Sequence, residues 1–176
     1  MGGARIGSQG ARWTRAWHRR PPVPDGGFSL STELDVARSP EDVFAFLADI
    51  DSFRALDPAL IECQPTGRLA GGLSGTFAHR RGGMTARTTW RVTEFVPPTL
   101  LEVAIRGAGY EMTERANLEA TGSGTRATFV DRVWPTSLAG RVLVALSGGI
   151  MRRDLRARAG RLKAILEDEP PGGRPD

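Results

Sequence analysis

The sequence contains one cysteine, Cys63, so no disulfide can close within the chain. A lone thiol suits a reducing compartment, and the expected location is cytoplasmic. Histidine is almost as scarce: His18 and His79 are the only two, and only His79 lies in a patterned segment. One such histidine with one distant cysteine does not supply the three or four ligands of a zinc site, so no metal is expected. No apolar run approaches the roughly 20 residues of a membrane span; the longest is Val142 to Leu146. No serine occupies an exposed nucleophile turn of the kind that triad hydrolases use. The glycine-rich stretches Gly71-Gly72-Leu73-Ser74-Gly75 and Gly122-Ser123-Gly124 join strand to strand. A dinucleotide or P-loop cradle must lead from strand into helix, so no nucleotide cofactor is expected either.

Acid is missing from residues 1–24, which hold Arg5, Arg12, Arg15, Arg19 and Arg20. Residues 25–137 carry 11 Arg against 15 Asp and Glu, and residues 138–176 carry 8 basic against 5 acidic groups. The strand-rich body is therefore mildly acidic, and the high pI comes from the two ends. A nucleic-acid-binding domain would place its positive charge on the folded surface, so that class of partner is not expected. Lys163 is the only lysine, which fits a GC-rich coding sequence better than a phosphate-binding purpose.

With 176 residues, 40% hydrophobic and 25% charged, the chain suits one domain with a substantial core. Residues 1–27 lack periodicity and include Pro21-Pro22-Val23-Pro24, which reads as a disordered basic arm. The arm lacks the apolar centre of a secretory signal, and Ile6 stands where myristoylation needs Ser or Thr. Trp13 and Trp17 among its arginines suit peripheral contact with a membrane surface or a transit peptide, and a dispensable or misassigned leader is the plainer reading of the same residues. Residues 28–168 form the folded domain, and 169–176 read as a disordered tail.

Phe28, Leu30, Leu34 and Val36 alternate as a half-buried strand does. Ser39-Pro40-Glu41-Asp42 then supplies an N-cap, a first-turn proline and acids at the positive helix end. A short helix follows, then a second that Asp57-Pro58 stops. Six further strand-like segments run from Leu60 to Trp134, separated by short Gly- or Pro-rich turns, which spells an antiparallel meander. Ser137 to Glu167 can be one long helix. Its second half carries a stripe of Met151, Leu155, Ala159, Leu162 and Leu166. Carried back, that stripe falls on the small or slim Gly140, Val144, Ser147 and Gly148, leaving Leu143, Leu146 and Ile150 on the far side as a candidate dimer or membrane contact. Gly148-Gly149 is expected to kink the helix or divide it in two.

Ala37-Arg38-Ser39-Pro40-Glu41-Asp42-Val43-Phe44-Ala45-Phe46-Leu47-Ala48-Asp49, Leu56-Asp57-Pro58, Thr89 to Pro98, Gly124-Thr125-Arg126-Ala127-Thr128 and Arg153-Asp154-Leu155 with Leu162-Lys163 together resemble one family. It is the polyketide cyclase/dehydrase and lipid-transport group of the START-like (Bet v 1-like, SRPBCC) superfamily. Phe53 and Leu56 stand where relatives usually carry tryptophans. The resemblance implies an α+β helix-grip fold: a curved seven-stranded antiparallel sheet wrapped around the C-terminal helix, with two short helices after the first strand. It also implies an apolar cavity for a polyketide, lipid, sterol or quinone, and no shared catalytic motif.

Strand alternation selects the side chains facing such a cavity. Trp90, Tyr110, Met112 and Phe129 are the expected strand lining, joined from the helix by Val144, Ser147, Gly148, Met151 and Leu155. Glu114 and Asp131 fall on the same inward face, where a carboxylate is costly unless paired. They either serve a ligand as anchors or as acid and base, or form a structural ion pair with Arg115, Arg132 or His79, or sit in water through a register slip. His79 is a third candidate for chemistry. The expected function is binding of a small, largely apolar molecule, with cofactor-independent cyclisation or dehydration (aromatase-like) as the chemistry. The alternatives are a non-catalytic lipid or quinone carrier and a membrane-associated interaction protein; a homodimer is compatible with all three.

Overall fold

The computed structural model describes residues 23–81 and 83–168. Most of the expected arm and the whole expected tail, with Trp13 and Trp17, lie outside the described residues. Residues 23–27 form a turn, closed by the Gly27 N–H donating to the Pro24 carbonyl at 2.9 Å. The elements follow as β1 (Phe28–Val36), α1 (Pro40–Leu47), α2 (Ser52–Leu56), β2 (Leu60–Gln64), β3 (Ser74–Arg81), β4 (Met84–Val96), β5 (Leu100–Gly107), β6 (Tyr110–Thr121), β7 (Gly124–Pro135) and α3 (Leu138–Asp168).

All seven strands form one antiparallel sheet in the order β1-β7-β6-β5-β4-β3-β2. The meander from β3 to β7 uses tight turns, a longer loop (65–73) joins β2 to β3, and α1 and α2 carry the chain from one sheet edge to the other. At the start of α1 the Ser39 hydroxyl accepts from the Asp42 N–H at 3.2 Å, with Pro40 in the first turn. Val43, Phe44 and Leu47 then face inward and are buried.

Helix α3 packs on β1, β7 and β6 and against α2, burying Gly140, Val144, Leu155, Ala159, Leu162 and Leu166. Gly140 meets the β5–β6 turn so closely that a methyl there would run into the Gly109 carbonyl. Gly109 itself has φ +84°, a conformation glycine adopts without strain. The Ser137 hydroxyl caps this end by accepting from the Gly140 N–H at 3.0 Å.

The helix is continuous from Leu138 to Asp168, so of the two expectations at Gly148-Gly149, a kink or a division, the division is ruled out. A glycine costs about 1 kcal/mol against alanine within a helix. Buried Val144 on one side and Leu155 on the other fasten both halves to the sheet, and Gly148 rests beside the Phe28 ring. Tertiary packing outweighs the local penalty.

Candidate functional site

A cavity of about 450 Å³ lies between the sheet, α2 and α3. That size suits a small organic ligand, whose sites run to roughly 300–1,000 Å³. Its wall is chiefly aliphatic and aromatic, including Leu101, Val103 and Ile105 from β5 and Phe53 and Leu56 from α2. Of the expected lining, Tyr110, Met112, Phe129, Val144, Ser147, Met151 and Leu155 all reach it, as do Glu114, Asp131 and His79. The Tyr110 ring lies over Gly107, where any side chain would collide with it. The Ser147 hydroxyl turns back to donate to the Val144 carbonyl at 3.0 Å, so its hydrogen bond is spent within the helix.

Trp90 and Gly148 do not line the cavity. Trp90 has the inward parity and is 1% exposed, but Phe77 stacks on it at 5.4 Å and presents its own ring to the cavity instead. Gly148 faces Phe28 on the β1 side of the helix. Both positions were assigned from alternation or helical angle, which give a face and not a depth along it.

The polar centre is an Arg held between two carboxylates. Glu114 and Asp131 sit directly opposite each other on β6 and β7. Arg158 of α3 donates from Nη1 to Glu114 Oε1 at 2.7 Å and from Nη2 to Asp131 Oδ2 at 2.9 Å. Arg115 and Arg132, the arginines expected as partners, follow Glu114 and Asp131 in sequence and so point to the other face. Arg115 there binds Glu94 and Glu102, each at 3.0 Å, which makes Glu94 part of a half-buried ion-pair network on the other face of the sheet. The missing partner had a sequence signal: Leu155, Arg158 and Leu162 continue the inward stripe at spacings of three and four.

One guanidinium cannot neutralise two carboxylates. The Asp131 side chain is only 3% exposed. Burial pushes its carboxyl up to about 7, the Glu114 charge pushes the same way, and Arg158 opposes both. The Arg158 guanidinium is raised in turn, first by the Glu114 charge, and stays protonated. The arrangement therefore favours a proton on Asp131, beside the apolar side chains that make up most of the wall.

A second polar group faces the cavity from β3 and β4. His79 Nε2 lies 3.4 Å from Asp57 Oδ2, and Asp57 also accepts from the Ala59 N–H at 2.9 Å. Burial works to raise the Asp57 carboxyl, but the His79 hydrogen bond and the Ala59 N–H outweigh it and leave it below the ordinary value. Close by in the register, Phe77 pairs with Thr88 and His79 with Ala86. Thr88 is 7% exposed, lines the cavity, and its hydroxyl has no hydrogen-bond partner among the described residues. A buried hydroxyl without a partner is a place for a ligand oxygen. Alternation along β4 puts Thr88 on the inward face with Trp90 and Val92, apart from Thr85, Thr89 and Thr93, and the fold adds that its hydroxyl lacks a partner among the described residues.

Among solved structures, the aromatase/cyclase di-domain StfQ from the steffimycin biosynthetic pathway superposes with a TM-score of 0.68 at 12% identity, over 81% of this chain and 52% of that one. Protein CV1439 from Chromobacterium violaceum gives 0.67 at 14% identity, over 80% and 99% of the two chains. Ara h 8.0201 gives 0.65 at 13% identity, over 81% and 99%. At such identities the likeness is one of fold. Among curated proteins none is similar in sequence. Residues 27–167, however, match the sequence pattern of a family described as polyketide cyclase/dehydrase and lipid transport. With that match spanning the whole described domain, and with the helix-grip architecture beneath it, the chain belongs to the polyketide cyclase/dehydrase and lipid transport family.

Proposed function

We propose that the protein binds a flat, oxygenated and largely apolar molecule of polyketide type in the cavity and moves protons on it. The observation that carries this reading is the geometry: the buried Asp131 carboxyl faces Glu114 across the β6–β7 pair on the cavity wall, and the two share a single guanidinium, Arg158, while burial raises the Asp131 carboxyl. Groups with strongly shifted pKa in a cleft are candidates for acid–base work. Asp131 would give its proton to a ligand carbonyl oxygen while the Glu114 carboxylate takes one from the adjacent carbon. The product is an enol with no net change in charge. Its attack on a second carbonyl closes a ring, and loss of water from the resulting alcohol gives the dehydrated product. Thr88, with His79 held by Asp57, would hold a second oxygen of the same ligand at the β3–β4 end.

Native mass spectrometry of protein purified from its own host tests whether a small molecule of this class co-purifies. Quenching of tryptophan fluorescence by a hydroxylated polycyclic phenol then tests the anchors. Glu114→Gln is expected to weaken binding about ten-fold, the worth of one charged hydrogen bond, with little change in melting temperature. Unchanged affinity with a large loss of stability would mark the cluster as purely structural.

A non-catalytic lipid or quinone carrier is the second reading. The bare aliphatic face of α3 favours it, and binding without turnover of any bound polyketide-type compound would support it.

A further inference from the structure

The first half of α3 presents an apolar face to solvent. Leu138 is 81% exposed and Leu146 76%, and Val142 and Ile150 are each more than half exposed. These four residues are spaced by four, so each lies about 40° round the helix from the last, and together they cover an arc of about 120°. The arc is opposite the face formed by Gly140, Val144, Met151 and Leu155. Monomeric proteins rarely leave large aliphatic side chains bare in a row, and such a patch marks a surface that something else covers.

The charges around the patch narrow the occupant. From Leu138 to Arg153 the helix has no acidic residue and three arginines, Arg141, Arg152 and Arg153, all exposed. Arg141 and Arg152 border the arc on one side, and Arg153 sits at its C-terminal end. A second copy of this chain, docked on the same patch about a two-fold axis, would set three exposed arginines against an identical three, with only the half-buried Asp154 at the patch's C-terminal border to answer them. An anionic bilayer answers them throughout. Leucine, valine and isoleucine on one face with arginine at the border is the composition of a helix that lies in a membrane interface. Leu143 gives the patch a second property, since it is about half exposed and also lines the cavity. The apolar surface thus continues into the cavity wall.

We infer that residues 138–153 of α3 dock on an anionic membrane surface, with Leu138, Val142, Leu146 and Ile150 inserted among the acyl chains and the arginines at the headgroups. The docked helix holds the Leu143 edge of the cavity against the bilayer, so an apolar ligand can pass between the two without crossing water. The docking itself stands independently of any chemistry in the cavity; only the ligand passage rests on the proposed binding function.

Co-sedimentation of the full chain with vesicles tests it. Binding is expected to phosphatidylcholine vesicles containing phosphatidylglycerol, and to fall with added salt, with much weaker binding to phosphatidylcholine alone. Leu146→Glu should reduce binding to the anionic vesicles by about ten-fold or more, and Ile150→Ser should reduce it in the same direction. Both sites are exposed, so melting temperature and phenol binding in vesicle-free buffer should be unchanged. Three results would overturn the inference: no binding to either vesicle, binding that neither substitution alters, or a concentration-dependent dimer that Leu146→Glu dissolves. Loss of phenol binding in the unsubstituted protein, with vesicle binding intact, would sink the cavity function and leave the docking surface standing.

Discussion

Removing the carboxyl of Asp131 should make the protein more stable in mild alkali, because the native fold holds that group under strain of charge. In the folded protein the carboxyl rises from its ordinary 3.8 to about 7, through burial and then the charge of Glu114. A raised acid pKa means that the native state binds more protons than the unfolded chain between those two values. Stability is then greatest below the unfolded pKa and is lost as pH rises through the folded one. At about 1.4 kcal/mol per pKa unit, the loss between about pH 4 and pH 8 has an upper bound of about 4 kcal/mol. Asp57 acts in the opposite sense: its carboxyl is lowered, and its contribution disappears only as pH falls below the ordinary carboxylate range. The two limbs therefore occupy different pH windows. Urea unfolding of the parent and of Asp131→Asn at intervals between about pH 5 and pH 8 separates them. The parent should lose stability across this range, whereas the variant should be nearly flat and the more stable of the two at the upper end. A parent curve that stays level or rises, or a variant that keeps the parent's decline, would refute the reasoning.

Two further substitutions test the surroundings. Thr88→Val keeps the shape and removes the buried, unpartnered hydroxyl, so the empty protein should gain about 1–2 kcal/mol in urea unfolding while phenol affinity falls; a loss of stability would mean that the hydroxyl has a partner in solution. Gly140→Ala would gain about 1 kcal/mol if helix propensity decided it. The collision with the Gly109 backbone reverses the sign, and calorimetry should show a lower melting temperature, for a net loss of about 2 kcal/mol.

The fold was legible because its signals are local. Ser39-Pro40 with two acids starts a helix wherever it occurs, and each hairpin carries its turn residues with it. Inward parity placed Glu114, Asp131, Tyr110, Met112 and Phe129 on the cavity wall for the same reason. What the sequence hid depends on distances between elements. The partner of the two carboxylates comes from a helix 27 and 44 residues downstream in the chain, and its identity depends on how α3 is rotated and seated on the sheet. The continuity of that helix through Gly148-Gly149 goes with the burial of Val144 and Leu155 against elements far away in sequence. Trp90 shows the limit of alternation: the side was right, yet Phe77 stands between it and the cavity.

The pairing of β1 with β7 has a consequence for how the protein comes to exist. Phe28 meets Val133 and Val36 meets Thr125, so the first strand has no sheet neighbour until about a hundred residues later have been made. Contacts so distant in sequence are slow to form, because the intervening chain must be closed into a loop first. The helix that roofs the cavity is more distant still. On the ribosome, β2 to β6 can pair as they emerge, while β1, its neighbour and the roof must wait for the end of synthesis. The cavity is therefore the last thing to close, and its apolar wall stays open to water until then. A ligand that enters at that stage stabilises only the finished arrangement. Supply of the ligand would then set the yield of folded protein as well as its occupancy.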